Sequence, residues 1–232
     1  MLIPITREKF EQLIPLIATG PQYAYFWGKF PDFLKRLLIS VIGIAGVLVL
    51  SVLLGSGFYA LRLLLGITVG LYWLWGPVYW ATRRNLEVRR YKYGGFWRGR
   101  VVDVFVTEEL IGQEESVSNR GELVIVENRE RRLNVDVEDE TGFTTRLQAP
   151  LRRLHKGISR GQIAEMLVMS NQPDLERIAK TSDIYIPSLN LWVSDYPYLQ
   201  RDFFTQVSRQ LSKANKGDEP AKRVVNPRRR RR

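Results

Sequence analysis

The sequence has no cysteine and a single histidine, His155. The first absence excludes disulfides, thiolate metal sites, iron–sulfur ligation and cysteine nucleophiles. The second excludes any centre that needs two imidazoles. No P-loop, H-E-x-x-H helix or EF-hand calcium loop is present. Charge is missing from one long stretch: residues 37–81 hold a single ionic side chain, Arg62, and no Asp or Glu. A run without an acid offers no proton relay and no cation site. One without a histidine lacks the commonest side-chain ligand for a haem iron or a chlorophyll magnesium.

What fills that stretch is apolar, and it decides the class of the protein. A bilayer core of ~30 Å takes ~20 helical residues, so the run from Leu37 to Ala81 suffices for two spans and is too long for one. Gly55, Ser56 and Gly57 interrupt it. The pattern predicts a two-helix transmembrane hairpin, with spans at 37–54 and 61–80. A buried soluble hairpin fits less well, because a run this free of charge is rare outside lipid. A cleaved signal peptide does not fit a run that begins behind 36 mixed residues. Gly66 and Gly70 form a G-x-x-x-G pair, and Gly43 and Gly46 thin the first span. These four are the expected helix-packing positions, within the hairpin or against another membrane protein. Tyr72, Trp73, Trp75, Tyr79 and Trp80 crowd the end of the second span around Pro77, as an interfacial aromatic belt does.

Charge asymmetry sets the orientation. Residues 1–94 carry 11 basic against 4 acidic side chains, residues 95–211 carry 15 against 18, and residues 212–232 carry 9 against 2. The net +11 therefore sits beside the apolar run and in the tail, which is not the even field of a nucleic-acid binder. Lys29, Lys35 and Arg36 precede the hairpin; Arg83, Arg84, Arg89, Arg90 and Lys92 follow it; only Arg62 lies between the spans. The positive-inside rule then puts both termini on the cytoplasmic side, or the stromal side in a plastid. The cations after the hairpin, with Arg228, Arg229, Arg230, Arg231 and Arg232 of the tail, are expected to meet anionic lipid of that leaflet.

The rest of the chain reads as an α+β arrangement around the hairpin. Residues 1–36 suggest an interfacial helical segment, from the amphipathic stretch Thr6–Ile17 and the aromatic cluster Tyr23–Phe30, and residues 82–94 a basic linker. Short strands at 101–106, 123–127, 133–137 and 143–147, with turns at 118–121, 128–131 and 140–142, predict a small antiparallel β-barrel-like domain over 95–150. Residues 151–211 read as a helical and aromatic-rich extension. In it the capping pattern Ser159-x-x-Gln162 opens a helix with Ile163, Met166, Leu167 and Met169 on one face, and further helices follow at 173–179 and 199–211. Residues 212–232 read as a disordered basic tail. In the proline-broken stretch 184–199, Tyr185, Trp192, Tyr196 and Tyr198 either wrap the domain as core or face a partner. The acids Asp136, Glu138, Asp139 and Glu140 read as solubilising turn residues, and they count against specific nucleic-acid binding. His155 lies among cations with no partner for acid–base work. No catalytic constellation, cofactor site or metal site is predicted.

Ala18-Thr-Gly-Pro-Gln-Tyr23 with Trp27-Gly28, Tyr93-Gly-Gly-Phe-Trp97, and Ser182-Asp-Ile-Tyr-Ile-Pro187 through Trp192-Val193 to Tyr196-Pro-Tyr198 carry a resemblance. With the hairpin, they resemble an uncharacterised family of cyanobacterial and plastid membrane proteins, sometimes labelled phosphate transporter permeases. The resemblance implies a thylakoid membrane protein connected with photosystem biogenesis, photosystem II in particular, and it implies no active-site residue. The expected function is a non-enzymatic, membrane-anchored accessory or assembly factor that acts on integral membrane subunits, photosystem components among them, from the cytoplasmic side. The alternative is an accessory subunit of a membrane transporter.

Overall fold

The computed structural model describes residues 1–53, 59–117 and 123–217. The breaker Gly55-Ser56-Gly57, the turn at 118–121 and the arginines 228–232 lie outside the described residues. The chain runs β1 (Leu2–Ile5), α1 (Arg7–Leu13), α2 (Gly20–Trp27), α3 (Phe30–Leu53), α4 (Tyr59–Gly70) and α5 (Tyr72–Arg89). Then come β2 (Tyr93–Val117), β3 (Leu123–Glu138), β4 (Thr144–Pro150), β5 (Ile163–Ser170), β6 (Lys180–Thr181), β7 (Ile184–Ile186), β8 (Leu191–Val193) and α6 (Arg201–Gly217).

Among the described residues one helix, α3, is long and apolar enough to cross a membrane, and the chain itself covers only 6% of its apolar window. Its 24 residues rise about 36 Å. The expected second span at 61–80 is not a single helix. It divides at Leu71 into α4 and α5, which are bent by 73° from one another. The expected two-span hairpin is thus seen in part: one full-length apolar helix, followed by a bent pair in place of a second continuous one. Specific polar contacts hold the bend. The Trp75 indole Nε1 donates to the Thr68 carbonyl at 2.7 Å, and the Trp73 N–H donates to Ser40 Oγ of α3 at 3.2 Å. Backbone groups freed at a helix break in apolar surroundings must be satisfied from nearby, and here they are. The basic linker is corrected as well: α5 continues through Arg83, Arg84 and Arg89, and β2 starts at Tyr93.

The strands form one open antiparallel sheet in the order β4-β3-β2-β5-β7-β8, with β1 alongside β2 and β6 alongside β5. Among the described residues the sheet stays open and does not close into a barrel. The turn expected at 128–131 is strand, since Glu108, Glu109 and Leu110 pair with Arg131, Glu130 and Arg129. Cross-strand ion pairs, Arg131 with Glu108 at 3.3 Å and Arg132 with Glu109 at 2.8 Å, make this charged sequence compatible with a ribbon open to solvent. The expected helix at 163–169 is strand β5, buried at seven of its eight positions. A short apolar run covered on both faces has no period by which to tell strand from helix. Half of the Ser159/Gln162 capping pattern is made, Ser159 N–H to Gln162 Oε1 at 3.1 Å, but the chain leaves it into a strand. Residues 173–179 are irregular rather than helical.

Alternate side chains along β2, β5 and β7 feed two cores. Trp97, Val101, Val135, Met166, Val168, Ile184 and Ile186 lie on one face. Phe96, Leu167, Met169 and Tyr185 lie on the other, where Phe10 and Leu13 of α1, Ile14 just after it, Val88 of α5 and Phe204 of α6 cover them. Helix α1 is therefore part of the sheet domain and not an interfacial element: Leu13 and Ile14 are fully buried. Asp139 orders the β3–β4 turn. It accepts from Thr141 N–H at 2.9 Å and Phe143 N–H at 3.2 Å through one oxygen, and from the Trp97 indole at 2.8 Å through the other. Burial opposes its ionisation, but the hydroxyl and N–H of Thr141, the Phe143 N–H and the N-terminal ammonium hold its carboxyl below the usual carboxylate range.

Candidate functional site

Two regions gather the residues that the sequence singles out, and both adjoin the apolar helices. The first is a seam between α2, α5 and the segment 195–199. Gln22 and Asn85, both fully buried, exchange amide hydrogen bonds: Gln22 Nε2 donates to Asn85 Oδ1 at 3.1 Å, and Asn85 Nδ2 returns to Gln22 Oε1 at 2.8 Å. Gln22 Nε2 also reaches the Pro197 carbonyl at 2.8 Å, and Gln22 Oε1 accepts from Thr19 N–H at 3.0 Å as part of the capping box of α2. Arg84 stacks over this junction, 4.2 Å from the Tyr196 ring centroid and 5.3 Å from that of Tyr198, and its Nε donates to the Tyr198 hydroxyl at 3.0 Å. The seam fixes the end of the apolar helices to the sheet. Because α2 leads into α3 and α5 leads into β2, both ends of the α3–α4–α5 unit lie on one side, beside the sheet.

This arrangement corrects two expectations. Tyr185, Trp192, Tyr196 and Tyr198 do not form a free partner surface. Tyr185 and Trp192 lie 4.7 Å apart, their rings tilted by 34°, and pack on Phe204, while Tyr196 and Tyr198 close the seam. Aromatic rings in a proline-broken segment fill a concave core as readily as they dock a partner, and here the sheet face and α6 claim them. Nor do all the cations after the hairpin face a membrane surface. Arg84 is held in the seam, and Arg89 crosses to the end of α1, donating to the Ile14 carbonyl at 2.7 Å and to Glu11 Oε2 at 2.6 Å. Cations satisfy the free carbonyls of a helix C-terminus. Arg83, Arg90 and Lys92 are exposed.

The second region is a groove of about 710 Å3 between α3 and α4, lined by Ile44, Val47 and Leu48 on one side and Arg62, Gly66 and Gly70 on the other. The four glycines divide between packing and open surface. A side chain at Gly43 would collide with Val69, and one at Gly70 would come within 3.2 Å of Ile44, so these two let α3 and α4 approach. Gly46 and Gly66 have nothing within 4 Å of a Cβ. The G-x-x-x-G pair thus serves two ends: Gly70 packs the helices, and Gly66 opens the groove. On the other side of the bend Trp75, Tyr79 and Trp80 are exposed, while Trp73 packs against Trp27 and Phe33.

Elsewhere the chemistry is sparse. Among the described residues, no group of three His, Asp or Glu side chains could hold a metal ion. His155 is buried. Desolvation and the neighbouring Arg152 push its pKa down, and its Nδ1 accepts the Arg152 N–H at 3.3 Å, which places the imidazole proton on Nε2. The expectation that the chain has no G-x-S-x-G motif is corrected: Gly157-Ile-Ser-Arg-Gly161 has that spacing. It sits between a 3-10 turn and strand β5, not on a strand-to-helix elbow, and Ser159 has no described hydrogen bond to His155. Sequence reasoning passed over Asp183, which is wholly buried. It accepts from Tyr198 N–H at 2.8 Å, and burial pushes its carboxyl up to about 7. A lone Asp in an apolar stretch is the signal that would have found it.

Residues 3–217 match a family of unknown function (DUF8619), and the chain belongs to it. No curated protein and no solved structure matches the chain.

Proposed function

We propose that the protein is a non-enzymatic, membrane-anchored accessory factor that holds subunits of membrane protein complexes from the side on which its sheet lies. One observation carries this reading. Beyond the last pairing with β4 at Arg132, β2 and β3 run on together as a two-stranded ribbon that pairs with no other described strand. Leu110, Ile111, Leu123 and Ile125 are exposed on it, with Leu123 at 69%. Apolar side chains that contribute nothing to either core, on an arm projecting from an anchored domain, suit a partner of limited size bound beside the bilayer. The uncovered apolar length of α3 supports membrane anchoring, and the seam would make anchor and arm move as one body. The cationic flanks favour the cytoplasmic or stromal side for sheet and termini. Photosystem II biogenesis in a thylakoid membrane is the context that the family resemblance adds.

The test is a mild-detergent pull-down of the tagged protein, with captured subunits identified by mass spectrometry and the eluate scanned for pigment absorption. Integral membrane subunits should be enriched, and Leu110→Glu with Ile111→Glu should release them while the protein stays in the membrane. Enrichment that the ribbon variant leaves unchanged refutes the role of the arm.

A further inference from the structure

The apolar helices leave one polar group without an answer. Arg62, near the start of α4, donates Nη1 to Ser51 Oγ at 3.1 Å and lies 5.6 Å from the Tyr59 ring centroid. Its Nε and Nη2 are closed off from water and have no acceptor among the described residues. Residues 37–81 contain no Asp or Glu, so the apolar run cannot supply an ion pair. A guanidinium with unmet N–H groups in apolar surroundings is strongly disfavoured unless an acceptor arrives from outside the chain. Arg62 is also the one charged residue lining the groove between α3 and α4. From there the groove passes Gly66 and ends at Gly70 and Leu71, and its walls are Ile44, Val47, Leu48 and Leu63.

We propose that this groove binds one phospholipid, its phosphate on Arg62 and an acyl chain laid along Gly66 toward Leu71. Charge is the first argument: Nε and Nη2 of the guanidinium lack an acceptor, and phosphate oxygens that part the side chains over them would accept such a fork. Direction is the second. The charged end lies where α3 stops and α4 starts, at headgroup level for a membrane-inserted pair, and the apolar remainder leads toward the bilayer middle. Length is the third. Eight residues separate Arg62 from Gly70, about 12 Å of helix, close to the ~15 Å depth of one hydrocarbon leaflet. The site faces the leaflet opposite the cationic flanks of the apolar run, so it is separate from any attraction of Arg90 or Lys92 to anionic lipid. The inference rests on the membrane placement of α3 and α4.

The experiment uses the full chain in mild detergent and native mass spectrometry. Phosphatidylglycerol is titrated in, with diacylglycerol and inorganic phosphate as separate probes. One phosphatidylglycerol should be retained per chain, while diacylglycerol, which has the tails without the phosphate, and inorganic phosphate, which has no tail, should not. Arg62→Gln should weaken retention at least tenfold, and Arg62→Lys, which keeps the charge but not the fork, should recover only part of it. Gly66→Leu, which fills the groove, should abolish retention; Gly46→Leu, equally unpacked but off the groove, should not. The Arg62 pair decides the question even if Gly66→Leu fails to fold. Wild-type retention by Gly66→Leu or Arg62→Gln, or equal binding of diacylglycerol, overturns the proposal. So does a doubled mass that Gly66→Leu abolishes, which assigns the groove to a second copy. Release of the protein from membranes by carbonate alone overturns the membrane placement itself and is read independently of any lipid.

Discussion

The Gln22–Asn85 pair offers the sharpest test of how the apolar helices are joined to the sheet. Replacing Gln22 by Leu removes five hydrogen bonds at once: two exchanged with Asn85, one to the Pro197 carbonyl, a longer one of 3.3 Å to the Tyr198 carbonyl, and one from Thr19 N–H. Asn85 Oδ1 keeps a long bond from the Tyr196 hydroxyl at 3.4 Å, so its carbonyl end is not orphaned. Asn85 Nδ2 and the Pro197 carbonyl are left buried and unpartnered. Each buried orphan costs roughly 1–3 kcal/mol, so the single change should destabilise by about 4 kcal/mol. Asn85→Leu alone should cost less, about 2 kcal/mol, because Gln22 Nε2 keeps the Pro197 carbonyl and Gln22 Oε1 keeps Thr19 N–H. In the double variant both amides are gone, and two leucines meet across the seam. Chiefly the Pro197 carbonyl then lacks a partner, and the loss should shrink to about 2 kcal/mol. The cycle therefore predicts a coupling of several kcal/mol, far above the few tenths expected of independent sites. The assay is urea unfolding of the detergent-solubilised full chain, followed by tryptophan fluorescence. Additive losses, with the double variant as damaged as the two singles together, would refute the claim that this amide pair is a single unit joining α2 to α5.

Two other predictions follow from the same packing. The fragment 95–211 should be largely unfolded when expressed alone, because Phe10, Leu13, Ile14 and Val88 complete the core under the sheet. A dispersed, protease-resistant 95–211 would show that α1 and α5 are dispensable. The Asp183 carboxyl, raised to about 7 by burial against the Tyr198 N–H bond and the Arg201 charge, binds its proton more tightly in the folded than in the unfolded chain. Its contribution is then full below about pH 4 and is lost as pH rises through about 7. Asp183→Asn should flatten that fall and gain on the order of 3 kcal/mol at about pH 8, read from urea midpoints across pH. An unchanged pH profile would mean that Asp183 stays solvated.

Some of this protein was written in local sequence. The apolar length of α3 follows from a charge-free run, and its excess over what the chain buries is an inventory of side chains. The amphipathic helix at the C-terminal end was likewise legible, because Phe203, Phe204, Val207 and Leu211 recur at helical spacing. Alternation revealed parts of β2, β3 and β4, since a half-exposed strand carries its own period. Other features depended on partners distant in the chain. β5 is a strand because β2 and β7 flank it and both its faces are covered, a condition that erases periodicity. The bend at Leu71 exists because Ser40 and Trp75 satisfy the groups it frees, and hydropathy does not register two hydrogen bonds. The same holds for the candidate sites. Gly66 and Gly70 are identical letters in one motif, and only the position of Ile44 makes one a packing residue and the other a groove floor. Arg84 and Arg90 are equal as flanking charges, yet three tyrosines from two distant segments hold the first and none holds the second. Composition and period are properties of the chain taken a few residues at a time. Which polar atom finds a partner is decided by surfaces brought together from across the sequence.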